Sequence, residues 1–138
     1  IDEGNDVLIK VLVGKVKNIS SAVQTYSPVS IFDVQFIKPS LIDLDISKNQ
    51  TVMVYVIDGE LKFHDENQIA RKGQMISFDQ SSDMINLTSI SSTGSYLVLA
   101  GEPLNEPVVR YGPFVTNTEG DMKKVMLDYQ NGKMGTLS

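Results

Sequence analysis

Between Val7 and Ala100 the chain alternates short apolar runs with polar breaks. Over 31–37, Phe32, Val34 and Phe36 fall on one side and Asp33 and Gln35 on the other, the period-two pattern of a half-buried strand. Over 41–46, Ile42, Leu44 and Ile46 point inward and Asp43 and Asp45 outward in the same way. Val7–Gly14 predicts an earlier strand, with Gly14 allowing it to bend or stop. Val52, Val54, Val56 and Ile57 form a β-branched run that leads into Asp58-Gly59, after which Glu60–His64 alternates again. An Asp-Gly pair between two such runs predicts a hairpin with a type I′ turn, so 51–64 is expected to be a central hairpin. Gln68–Ala70, Met75–Asp79, Met84–Ile90 and Tyr96–Ala100 complete the series of strands. Lys15–Ser21 reads as a polar loop, and Val23–Pro28 as a short extended segment that Pro28 ends. Many short strands at this spacing imply a sandwich or barrel.

The pattern changes at Gly101. Pro103, Pro107 and Pro113 mark 101–117 as irregular. A helix is predicted over 118–131. Thr118 caps it with Asp121 three residues on, and Asn131-Gly132 ends it. Met122, Val125, Met126 and Tyr129 form one apolar stripe, expected to be buried. A helix this short needs something to dock on, either its own barrel or a neighbouring domain. The whole of 1–138 is read as a single domain, with barrel strands over 7–100.

Composition removes several classes of chemistry. The 138 residues suffice for one domain with a real core, and 41% of them are hydrophobic. No cysteine occurs, which excludes disulfides and thiolate chemistry and suits a reducing compartment. The formal net charge of −5 argues against direct nucleic-acid binding through phosphates. No apolar run is long enough to span a membrane. A catalytic triad or a His-rich metal centre needs imidazole at defined places, and the single histidine, His64, reads as an ordinary strand-end surface residue rather than a ligand. The first residues lack an initiator Met and read as a polar lead-in, so the chain is expected to be a piece of something longer.

Four stretches then fall into a recognisable order. They are Val23–Pro28, Val54–Glu60, the segment Gly101–Val109 with Tyr111–Thr118, and Asp128–Gly135. Together they resemble the pirin family over about 7–135, with Tyr111-Gly112-Pro113-Phe114 in the C-terminal signature. Pirins resemble two fused cupin barrels, and this chain looks like the second. The resemblance implies an all-β, cupin-like jelly roll with one short C-terminal helix. It also implies that the family's iron site, three His and one Glu, lies in the first barrel. The family is associated with metal-dependent oxygenation of flavonols such as quercetin and, in animals, with nuclear transcription co-regulation. The expected location is cytoplasmic, with the nucleus also open.

The cupin pattern can be laid on this sequence from Gly59. It puts Asp45 and Ser47 near the histidine positions and Thr51 near the glutamate position. The second motif's turn reads Arg71-Lys72-Gly73, with Ile76 near its histidine position. No histidine stands in either window, so no metal ligands and no cofactor are expected in this chain. No catalytic residue is assigned. Asp43 and Asp45 suggest paired carboxylates but read more simply as a solvated face. Asp58 and Glu60 flank a turn. Glu102 and Glu106 are read as pins for the irregular segment, and Arg110 and Tyr111 as either interface or packing residues. Phe32, Phe36, Met53, Phe63, Met75 and Phe78 either fill the core or line a small-ligand cavity. The expected role is that of a non-metal half that supports a metal-bearing upstream cupin and offers surface to protein partners. The rivals are a part of an iron-dependent quercetin 2,3-dioxygenase and a small-ligand barrel.

Overall fold

The computed structural model describes residues 6–63, 68–78 and 84–135. The chain divides into two compact units, with the boundary between Pro103 and Leu104.

The first unit contains β1 (Val7–Val13), β2 (Lys15–Val16), β3 (Ile19–Ser20), β4 (Val29–Phe36), β5 (Ser40–Asp45), β6 (Thr51–Asp58), β7 (Glu60–Phe63), β8 (Gln68–Arg71), β9 (Met75–Phe78), β10 (Met84–Ser89) and β11 (Gly94–Gly101). Five strands form one sheet in the order β1-β4-β11-β6-β9, and four form a second in the order β5-β10-β7-β8. All neighbouring pairs in both are antiparallel. From β4 to β11 the chain changes sheet at every connection except β7 to β8. This is the winding of a jelly-roll sandwich. The inward rows meet in one core. Phe32, Val34 and Phe36 of β4 and Val52, Val54 and Val56 of β6 come from one sheet; Ile42 and Leu44 of β5 and Ile85 and Leu87 of β10 come from the other. Each such side chain, once buried, contributes about 1.5–3 kcal/mol against the chain entropy lost. The period-two readings of 31–37 and 41–46 therefore hold residue by residue.

The expected central hairpin does not form. β6 and β7 lie in different sheets, so Asp58-Gly59 is a corner through which the chain passes from one layer to the other. Gly59 has the positive φ the dipeptide promised, +85°, while Asp58 does not, so the turn is not type I′. The glycine is required for space as well. A Cβ there would stand 2.9 Å from the Thr93 carbonyl oxygen and 3.2 Å from Cζ of Phe36. Local turn chemistry was legible, but β6 is claimed on both sides by β11 and β9, which leaves no free edge for β7. Two loop readings also change. Lys15–Ser21 carries the paired β2 and β3, turned by Lys17 at φ +49°. Val23–Pro28 forms no strand, but the Pro28 carbonyl accepts bonds from Gln50 Nε2 at 3.2 Å and from the Glu102 amide at 3.2 Å.

The second unit contains β12 (Val109–Tyr111), β13 (Phe114–Thr116) and α1 (Glu119–Gln130). The segment read as irregular thus holds a two-stranded hairpin, with Gly112 at φ +55° in its turn. The helix starts and stops where its caps predicted. The Asp121 amide donates to Thr118 Oγ1 at 3.1 Å, and the Asn131 and Gly132 amides close the last turn on Leu127 and Tyr129. The stripe is only partly as expected. Met122 is buried and Val125 and Met126 are half-buried, but Tyr129 is 62% exposed. Its ring meets Phe114 of β13 edge-on, with centroids 5.4 Å apart, and this contact rather than burial holds it.

Candidate functional site

The positions aligned with cupin ligands sit in unlike surroundings. Asp45 ends β5 on the exposed face, opposite Met84. Ser47 is exposed in the following turn, where its carbonyl accepts the Gln50 amide at 2.9 Å. Thr51 is exposed at the start of β6, opposite Gly101. Ile76 alone points into the core, 6% exposed, on β9 opposite Val54. Among the described residues, no group of three or more His, Cys, Asp or Glu side chains is placed to hold a metal ion. His64 lies outside the described residues.

The carboxylates singled out from sequence are spread along strand faces and corners. Asp43 accepts a 2.6 Å bond from Asn86 Nδ2 directly across the β5–β10 pair. Asp58 and Glu60 flank the Gly59 corner and pair with Lys72 at 3.2 Å and Arg71 at 2.9 Å, both exposed. Exposed pairs of this kind contribute little, at most about 1 kcal/mol. Glu106 does pin its segment, since Asn117 Nδ2 donates to its carboxylate at 2.8 Å and to the Pro107 carbonyl at 3.0 Å. Arg110 and Tyr111 are exposed on β12, Tyr111 at 61%.

Three buried polar groups were not legible in the sequence. Gln50 reaches the Pro28 carbonyl through its side chain. Ser89 is fully buried at the end of β10, and its Oγ accepts the Ser40 amide at 2.8 Å and donates to the Ser40 carbonyl at 3.2 Å. Ser89 therefore ties the β4–β5 corner to the second sheet. Tyr96 is the third. It lies inside an apolar run, is fully buried, and its hydroxyl has no hydrogen-bond partner among the described residues. Desolvation pushes its phenol well above the ordinary tyrosine range, so it stays neutral. Its ring lies 6.4 Å from that of Phe36. Phe32 and Phe36 are core residues, Phe63 and Phe78 meet edge-on at 6.1 Å, and Met53 and Met75 point outward.

In the second unit, Pro113, Phe114, Tyr129, Gly132, Met134 and Gly135 line an open groove of about 380 Å³. Its walls are apolar, and Tyr129 and Met134 are more than half or half exposed.

The model of the pirin C-terminal cupin domain matches residues 31–135. Pirin-1 of Arabidopsis thaliana is 32% identical over 136 residues, which cover 96% of this chain and 47% of that protein. Pirin of Rattus norvegicus is 32% identical over 131 residues, covering 94% and 45%. A crystal structure of quercetin 2,3-dioxygenase from Acinetobacter baumannii superposes with a TM-score of 0.80 at 27% identity, over 100% of this chain and 47% of that one. The chain thus spans about half the length of the curated relatives it matches. The jelly-roll sandwich is a cupin fold, as the four ordered sequence stretches implied.

Proposed function

Because this chain belongs to the pirin family as a C-terminal cupin domain, we propose that it is the supporting, non-metal half of a longer pirin-like protein. In this reading an upstream cupin carries iron, and the present domain buttresses it and offers surface to protein partners. The observation that carries the reading is Ile76. It stands near the position where the second cupin motif would present an imidazole, and its apolar side chain is buried opposite Val54. An aliphatic group there cannot donate an electron pair to a metal, and Asp45, Ser47 and Thr51 are held at exposed positions. The groove around Phe114 and Tyr129 supplies apolar surface for a partner. The charge balance of −5 disfavours nucleic acid as that partner. Among the described residues no helix is long and apolar enough to cross a membrane. A cytoplasmic location, with the nucleus as the animal family members suggest, completes the proposal.

The test is elemental analysis of the purified chain for iron, zinc, copper, manganese and nickel, with quercetin consumption assayed in parallel. Metal far below one ion per chain, and no turnover, are expected. One tightly bound transition ion per chain would overturn the reading. The match to the Acinetobacter baumannii dioxygenase favours a second reading at the level of the whole protein, in which this half completes a quercetin 2,3-dioxygenase. Turnover by the longer protein that disappears when this half is removed would support it.

A further inference from the structure

An asparagine followed by glycine carries a chemistry of its own. The glycine amide nitrogen can attack the asparagine side-chain carbonyl carbon, because no Cβ on the second residue shields it. Gly132 follows Asn131, and no other asparagine in the chain precedes a glycine. The pair sits at the end of α1. Asn131 is exposed and caps the helix, and Gly132 has φ +68° with nothing within 4 Å of where a Cβ would stand. Two bonds close the turn. The Gly132 amide donates to the Tyr129 carbonyl at 3.0 Å, and the Lys133 amide to the Asp128 carbonyl at 2.9 Å. They are the last bonds of the helix, where opening costs least. Asp58-Gly59 is the analogous pair with a carboxylate, and its surroundings differ. There a Cβ would meet Thr93 and Phe36, Asp58 belongs to β6, and its carboxylate pairs with Lys72.

We propose that Asn131-Gly132 is a site of spontaneous deamidation, and that the change undoes the end of α1 and reshapes the groove beside it. The Gly132 nitrogen, released from Tyr129, loses its proton to hydroxide and forms a bond to Cγ of Asn131. The Cγ–Nδ2 bond breaks, and Nδ2 leaves as ammonia, taking a proton from water. The product is a five-membered succinimide. Water then adds to one of its two carbonyls. Addition at Cγ opens the ring to aspartate with the ordinary backbone. Addition at the main-chain carbonyl leaves the chain running through Cβ and Cγ, which is isoaspartate. Overall one water is consumed and one ammonia released, with no change of oxidation state. Both products oppose the observed turn. Isoaspartate inserts a methylene into the main chain before Gly132, so the Gly132 and Lys133 amides no longer reach Tyr129 and Asp128 together. Aspartate keeps the backbone but adds a negative charge at the helix C-terminus, where the carbonyl dipoles are already negative and the last turn holds no basic residue. Gly132, Met134 and Gly135, which follow the altered bond, all line the groove. The step is irreversible, so the groove has an early and a late chemical form. None of this depends on the supporting role proposed above.

The test is ageing of the purified chain in water enriched in heavy oxygen, at neutral and mildly alkaline pH. Peptide mass spectrometry, with fragmentation that separates aspartate from isoaspartate, reads the product, and hydrogen exchange reads the turn. Labelled aspartate and isoaspartate are expected at position 131 ahead of every other asparagine, at a rate that rises with pH. That rate is expected to lie within about tenfold of the rate in a free peptide of residues 126–135, since the end of a helix opens readily. Deuterium uptake over 126–133 is expected to rise in the aged chain, while uptake over β6 and β11 stays as it was. Asn131→Gln would have to close a six-membered ring, and it is expected to abolish both the label and the rise in uptake. An Asn131 that stays intact while the free peptide converts overturns the proposal. So does earlier conversion at another asparagine, or full conversion at 131 with uptake over 126–133 unchanged.

Discussion

Replacing Tyr96 by Phe removes one oxygen from the centre of the sandwich and leaves the ring in place. The Tyr96 side chain is fully buried, and its hydroxyl has no partner among the described residues. In the unfolded chain the same hydroxyl bonds to water. Folding therefore gives up those bonds without replacing them, at a cost of roughly 1–3 kcal/mol. The contact with Phe36, 6.4 Å between centroids, needs only the ring and survives the substitution. Tyr96→Phe is expected to raise stability by about 1 kcal/mol. At about 2.1 cal/mol/K per residue, a chain of this length then melts roughly 3 °C higher. Alkali supplies an independent reading. Burial raises the folded-state phenol above its ordinary value of 10.0, so above that pH the unfolded chain releases this proton while the folded chain retains it. Stability from this group is complete below pH 10 and falls as pH rises beyond it, by about 1.4 kcal/mol per unit. Tyr96→Phe is expected to abolish that component. Urea titrations of both proteins at pH 7 and pH 10.5 measure both effects. A Phe variant less stable than wild type by 1 kcal/mol, or one with an unchanged alkaline slope, would refute the account of Tyr96 as an unpartnered, desolvated group.

Two other outcomes follow from the geometry. Gly59→Ala is expected to lose roughly 2–4 kcal/mol, since it combines a positive φ with a Cβ 2.9 Å from the Thr93 carbonyl oxygen, while Gly73→Ala, with a similar φ but open space, should lose only about 1 kcal/mol; equal losses in urea titrations would contradict the corner role of Gly59. On the helix, Met122→Ala should cost about 2–3 kcal/mol and Tyr129→Ala about 1 kcal/mol or less, read from thermal unfolding of the full chain, and a reversed order would mean that Tyr129 rather than Met122 is the buried anchor.

The linear pattern carried the inward and outward faces of β4 and β5, because alternation along an extended strand is a local geometric fact. It also carried both ends of α1, because caps act within one turn. The ordered stretches from Val23 to Gly135 sufficed for the family and the cupin fold. Arg110 and Tyr111 were marked as surface candidates and do stand exposed. Only the assembled sheets decided where β7 pairs, since an Asp-Gly turn fixes a local bend but not which strand competes for the next edge. The same holds for Ser89, whose partners at Ser40 are 49 residues away, and for Tyr96, whose isolation depends on what the strands packed around it leave out. The cross-strand rows of the five-stranded sheet are likewise a product of register, because each collects one residue from each of five strands that the sequence scatters from Lys10 to Leu99. Short-range sterics and period-two patterning are written in neighbouring residues. Which surfaces meet, and which polar groups lose water, is settled by contacts between segments far apart in the chain.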